Sequence, residues 1–429
     1  MAKTVDSGHV GKASLLDMPP EVLFGVLVHL DPVDVASMSV TCKDLNSYAA
    51  KDNLILWKAL FLNLFDAPDQ DLPAVIGDYC TCVKDRCKAR GILRSPHRQK
   101  QIKQRSFVLQ TLHNIVTTTP RSLPFQTSKN AHFLESLLSS RSVIKDWLTV
   151  NPPWKPTPED QDADDQEKER HQLEEISSQI HLSGLSMREL AWLNYKTGQA
   201  FREEIYRGSN FDETNMYGPY EKNRSDGKLV VDWRLLNGIS VVMALNVHGA
   251  WDQWGGQTES EILPYGFHRA VFWKVPETNK DWACVTGRWN YIYAFIDYND
   301  YFAYNFAPAG QHGADNDLEG VSEAVGGLNS LELALLPDEE QDWDKYPDEK
   351  YPPLKFQGQS SGPTGSTFRG QVKMLADGYR HWEFTIRYSG SDRWVTSGVE
   401  VGGRGVYGIW SDVLHEDLSP CGPVWYFRS

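Results

Sequence analysis

The chain has 429 residues, 41% of them apolar, six cysteines and a formal net charge of −14. That length exceeds one ordinary core and predicts two or three folded domains. The charge argues against nucleic acid as the main partner, because phosphate binding needs a basic footprint. Irregularly spaced cysteines read as reduced thiols of a cytoplasmic or nuclear protein. Neither an apolar leader nor a membrane span of about 18 apolar residues is legible, so no membrane partner is expected.

Residues 1–14 read as a disordered tail, and 15–65 as a compact helical unit. Pro19 and Pro20 suit a first helical turn, and Val22, Leu23, Val26, Leu27 and Leu30 recur at helical spacing. Asp31-Pro32 ends that helix and caps the next. A third apolar run covers Leu54–Phe65. Residues 66–150 read as a helical linker region. Its cysteines Cys80, Cys82 and Cys87 lack the second ligand pair that a zinc site wants. Its basic residues are spread along the chain as on a solvated helix face. Residues 151–183 are acidic, contain prolines and hold few apolar residues. They predict a flexible linker that cannot bury enough surface to offset ordering entropy.

From 184 the reading is a helix over roughly Ser186–Tyr206 followed by many short strands. Leu229–Trp233 and Ile239–Val247 flank Asn237-Gly238 as a turn, and Tyr291–Phe306 reads as β-type. Trp382, Phe384, Ile386 and Tyr388 alternate cleanly with Glu383, Thr385 and Arg387. Short turns between such strands imply an antiparallel sandwich or barrel, with an inserted surface loop at 337–364. The whole is a multidomain α+β protein, all-α at its N-terminal end.

The stretch from Leu15 to Phe61 resembles the F-box. The matching marks are Met18, Pro19, Glu21, Val22 and Leu23, then Leu30, Pro32, Asp34 and Val35, then Val40, Cys42, Lys43 and Leu45, then Leu56 and Trp57. Met18 stands where Leu is usual, Pro20 fills a variable position, and Thr41 separates Val40 from Cys42. The resemblance implies docking to a Skp-type adaptor of a cullin–RING ubiquitin ligase. Met18, Pro19, Glu21, Val22, Leu23, Leu27, Leu30, Pro32, Val35, Val40, Cys42, Leu45 and Trp57 are the expected adaptor contacts. Gly287–Phe306 and the tail from Val401 are similar to the carboxy-terminal region of a group of fungal F-box proteins. That similarity implies a substrate-recognition domain for a target protein that it does not name.

No chemistry is expected of the chain itself. His415 and Glu416 lack a nucleophile motif and are not followed by the second His of H-E-x-x-H, and no metal or cofactor is expected. Binding is better supported. Tyr291, Tyr293 and Asp297 share one strand face, which is either an aromatic platform or the inside of a barrel. Trp251 and Trp254 in a Gly-rich loop, with Arg404, His415 and Glu416 at a rim, complete the candidate substrate-binding set. A lectin-like carbohydrate binder, or a scaffold acting outside a ligase, stays open beside the ligase receptor.

Overall fold

The computed structural model describes residues 15–68, 78–97, 103–118, 128–138, 173–180, 182, 195–223, 226–250, 280–307, 317–346, 350–361, 365–401, 405–416 and 419–428. The chain divides into two compact units, Met1–Gln104 and Arg105–Ser429. Residues 151–172 of the expected acidic linker, Ala270–Val275 and Ser139–Val150 lie outside the described residues. The last part of that linker is not flexible, because 173–180 is helical with Ile176 and Ile180 buried.

In the first unit, helices α1 (Pro20–His29), α2 (Pro32–Ser39), α3 (Lys43–Tyr48) and α4 (Leu54–Leu64) follow one another closely. Their ends are set by local chemistry. Asp31 caps α2 by accepting the Val33 N–H at 3.0 Å. The Cys42 sulfur caps α3, and Asn53 caps α4 by accepting the Leu56 N–H at 3.2 Å. Helix α5 (Tyr79–Leu93), expected to be part of a linker, instead packs on α4 and α2. It brings Arg90, whose Nη2 reaches both Asp31 oxygens at 2.9 and 2.7 Å. Burial works to raise the Asp31 carboxyl, but the Val33 N–H and Arg90 outweigh it and hold it below its ordinary value. Arg86 is buried with its guanidinium over Phe65 and Phe61, 4.4 and 4.9 Å from the ring centroids.

The second unit contains α6 (Arg105–Thr118), α7 (Lys129–Leu138), α8 (Tyr195–Ile205), the hairpin β1 (Tyr220–Lys222) and β2 (Leu229–Val231), and α9 (Trp233–Ala250). Its longer strands build a barrel. Strands β3 (Gly287–Ile296), β5 (Asn329–Leu335), β6 (Leu354–Ser360), β7 (Thr367–Met374), β8 (Arg380–Tyr388), β9 (Ser391–Glu400), β10 (Val406–Asp412) and β11 (Cys421–Arg428) pair antiparallel in chain order. The ring closes where β11 returns to β3, from Val424 opposite Tyr293 to Arg428 opposite Trp289. The short strand β4 (Glu323–Val325) pairs with the far end of β3. Of the two expected architectures, the barrel is the one formed.

Strand alternation divides the residues of β3 between two cores. Trp289 and Tyr291 point into the barrel with Leu331, Leu333, Phe356, Phe368, Trp382, Phe384 and Tyr426. Ile292, Ala294 and Ile296 point outward and pack, with Tyr407, Ile409, Trp425 and Phe427, against Phe201 of α8 and Leu236, Ile239 and Met243 of α9. The barrel interior holds one buried charge cluster. Glu400 accepts from Arg380 Nη1 and Trp382 Nε1, both at 2.9 Å.

Three expectations about local structure are corrected. Asn237-Gly238 is not a turn but lies inside α9, whose start is capped by Asp232 accepting the Arg234 and Leu235 N–H groups. Gly238 is there because the Phe201 ring occupies the space a Cβ would need. Tyr298–Phe306, expected to be β, is helix α10. Asp297 breaks the strand and caps the helix by accepting the Asn299 N–H at 2.8 Å. Finally, the stretch 337–364 is not all surface loop, because it contains the barrel strand β6.

Candidate functional site

Helix α1 is apolar on two sides, and the sides have different fates. Leu23 and Leu27 are 1% and 2% exposed and belong to the core of the helical unit. Val22 and Val26, one position earlier in each case, face solvent at 49% and 37%. Met18, Val33, Val40, Leu54 and Ile55 are also exposed large apolar residues of this unit. Exposed apolar area of this extent on a small unit marks an interaction surface.

The expected adaptor contacts therefore split into two groups. Leu23, Leu27, Pro32, Val35 and Trp57 are interior, and Trp57 also donates its indole N–H to Ala50 O at 3.0 Å. They hold the helices together and are unavailable to a partner. Met18, Pro19, Glu21, Val22 and Val40 are exposed, while Leu30, Cys42 and Leu45 are half-buried. Val26, Val33, Leu54 and Ile55 are exposed as well and were not among the expected adaptor contacts. Periodicity marks an apolar helix but does not say which of its two stripes the unit keeps for itself.

In the second unit, one end of the barrel opens into a cavity of about 380 Å³. Its floor is Tyr291, Tyr426 and Val424, all buried. Tyr293, Tyr388, Trp394 and Trp410 form half-buried walls. Phe295, Asp297 and Tyr298 stand exposed at the mouth. The strands place these groups by alternation. Tyr291, Tyr293 and Phe295 are successive inward positions of β3, with ring centroids 6.4 and 6.1 Å apart. Trp410 stands at 82° to Tyr293 and 85° to Trp394. Beyond the mouth, Tyr298, Phe302 and Phe306 recur every fourth residue on α10 and are all exposed, with the last two rings 5.3 Å apart.

Much of the cavity's polar capacity is already used. Trp410 donates its indole N–H to Ala294 O at 3.0 Å, and the Tyr426 hydroxyl lies 3.2 Å from Thr396 Oγ1. Burial pushes the Tyr426 phenol well above its ordinary value, so it stays neutral. Burial also raises Tyr291 and Tyr293.

The structure brings together Tyr291, Tyr293 and Asp297 of the expected substrate-binding residues. His415 and Glu416 lie elsewhere, on the loop after β10. The His415 ring stacks on Tyr217 at 3.5 Å, and its Nδ1 is 3.1 Å from Ser411 Oγ. Burial lowers the His415 imidazole despite the opposing charge of Asp412. Glu416 is exposed. Trp251, Trp254 and Arg404 lie outside the described residues. Tyr388, Trp394, Trp410 and Tyr426 belong to the pocket but were not identified from the sequence. Their inward alternation was legible strand by strand, but the closure that makes the strands face one another was not. Arg369 and Arg387 both pair with Asp392, the latter at 2.7 Å.

Among the described residues no group of three or more His, Cys, Asp or Glu side chains is placed to hold a metal ion, and no helix is long and apolar enough to cross a membrane.

Residues 15–63 match the model of the F-box-like family. The chain carries an F-box-like domain followed by an antiparallel β-barrel. F-box domains bind Skp-type adaptors, and proteins that carry them are typically non-catalytic subunits. No curated protein and no solved structure matches the chain.

Proposed function

We propose that the chain is the substrate-recognition subunit of a Skp–cullin–F-box ubiquitin ligase, working in the cytoplasm or nucleus. The helical unit docks the adaptor, and the barrel holds a target protein at its aromatic end. Ubiquitin then passes through the partner subunits, so the chain needs no catalytic residue of its own. One observation carries the adaptor half of this reading. The F-box-like domain keeps Leu23 and Leu27 for its core and leaves Val22 and Val26, with Leu54 and Ile55, exposed to solvent. The target half rests on the pocket and on the exposed aromatic row of α10 beside its mouth.

The test is co-purification of the full chain with a Skp-type adaptor. Val22→Asp together with Val26→Asp should abolish the complex while leaving thermal unfolding within a degree or two, because surface changes of this kind are near neutral for folding. A wild-type chain that forms no complex, or a double variant that still forms one, refutes the reading. Leu23→Asp with Leu27→Asp is no substitute, since it would unfold the helical unit.

A further inference from the structure

We infer that the barrel pocket selects an organic cation, an ammonium or guanidinium group on an apolar stem, such as a basic side chain of a target protein presents. This rests on the pocket being the recognition site, but not on how the helical unit binds its partner.

The chemistry of the lining carries the inference. Eight of the thirteen described lining residues are aromatic, and the only ionisable group among them outside the tyrosines is the carboxyl of Asp297. Among the described residues no Lys, Arg or His lines the cavity. Aromatic faces carry negative electrostatic potential and attract a cation within about 6 Å of the ring centroid. Trp410 stands nearly perpendicular to both Tyr293 and Trp394, so more than one ring direction is offered to an entering group. The exposed residue Arg393, outside the lining, already places its guanidinium 5.4 Å from the Trp394 centroid. That indole therefore tolerates a cation in this fold.

An anion finds no cation in the lining among the described residues. The N-terminus of α10 at the mouth is already capped by Asp297, which takes the Asn299 N–H at 2.8 Å, and the Arg393 guanidinium beside Trp394 stays outside the lining. Arg369 and Arg387 are committed to Asp392. A sugar would want many polar partners, whereas Trp410 and Tyr426 have spent theirs on Ala294 and Thr396. The volume of about 380 Å³ accommodates a side chain with its stem, and its mouth at Asp297 places the charge near water.

The experiment uses the full chain and three probes with one aromatic body: phenethylamine, 2-phenylethanol and phenylacetate. Affinities are read at pH 7 by saturation-transfer NMR and calorimetry. Phenethylamine should bind at least about fivefold more tightly than the alcohol, as one opposite charge at contact distance in a wet site supplies, and phenylacetate more weakly than both. Asp297→Asn removes the charge but keeps a good helix cap. It should cut the amine's advantage over the alcohol at least about twofold, leaving the part the rings supply, without loosening the alcohol. Trp394→Ala should weaken both at least threefold, with thermal unfolding as the folding control.

Binding of phenylacetate as tight as the amine, equal binding of all three, no binding up to about 10 mM, or an amine preference unchanged in Asp297→Asn would each overturn the inference. Adaptor co-purification is measured on the same preparations. An intact adaptor complex with failed amine selection removes this inference and leaves the adaptor reading standing.

Discussion

Glu400 is the most consequential single charge in the barrel, and removing it gives a prediction with a worked magnitude. Its side chain is 4% exposed and accepts from Arg380 and Trp382 at 2.9 Å each. Glu400→Ala deletes a charge-assisted bond, worth about 1.5–3 kcal/mol, and strands the indole N–H of Trp382, which is fully buried. An orphaned buried donor costs a further ~1–3 kcal/mol. Arg380, only 14% exposed at its side chain, is left half-desolvated without its counter-charge. The expected loss is about 3–5 kcal/mol, in the range found for breaking one side of a buried pair. Because the chain has two compact units, a single melting curve would mix their transitions. The assay is therefore hydrogen exchange of the β8 and β9 amides, read by mass spectrometry, beside urea unfolding followed by tryptophan fluorescence. The double variant Arg380→Ala, Glu400→Ala removes the stranded charge and should be at least about 1.5 kcal/mol more stable than the sum of the two single losses implies. A single variant costing under 1 kcal/mol, or singles that add without coupling, would refute the account.

Two further predictions concern the same barrel. His381 is 1% exposed and lies 3.1 Å from Ser397 Oγ; burial, partly opposed by Glu383 and assisted by Lys373, lowers it to about 4 from an ordinary 6.5. Its folded value is depressed, so the imidazole is buried neutral, and its stability contribution is present above pH 6.5 and lost as the pH falls through about 4. The loss is roughly 3 kcal/mol at most, and a urea titration across that range should flatten in His381→Gln. Gly408 sits opposite Gly398 in the β9–β10 register, and a Cβ on it would run into the backbone carbonyl of Ser397. Gly408→Ala should cost about 3 kcal/mol, and a urea midpoint matching wild type would contradict the close approach.

What the sequence made legible was local alternation and local punctuation. The inward row of β8, and the helix stop at Asp31-Pro32, followed from period and capping alone. Misreadings arose where a long-range contact overrode a local signal. Asn237-Gly238 is a turn signal in isolation, and only Phe201 packing on Gly238 explains its place in a helix. Tyr298–Phe306 has a strand-forming composition, but the Asp297 cap and burial of Tyr301 and Tyr304 on the helical layer make it α10. The pocket followed the same rule. Tyr291, Tyr293 and Asp297 were visible on one strand, while Trp394 and Trp410 join them only because β11 returns to β3. Two stripes on α1 were equally apolar, and burial against α4 alone decides which is core.

The seam between β3 and β11 has a cost in time. A closed barrel has no free edge to recruit other chains, but this one gains that protection only when its eighth strand arrives. During synthesis β3 is complete long before Cys421 has been added. At about 5–20 residues per second, its seam edge waits on the order of ten seconds for a partner, carrying Tyr291, Tyr293 and Phe295 on the face that becomes the pocket. Conditions that stall translation between Ile296 and Cys421 should make nascent chains of this protein aggregate.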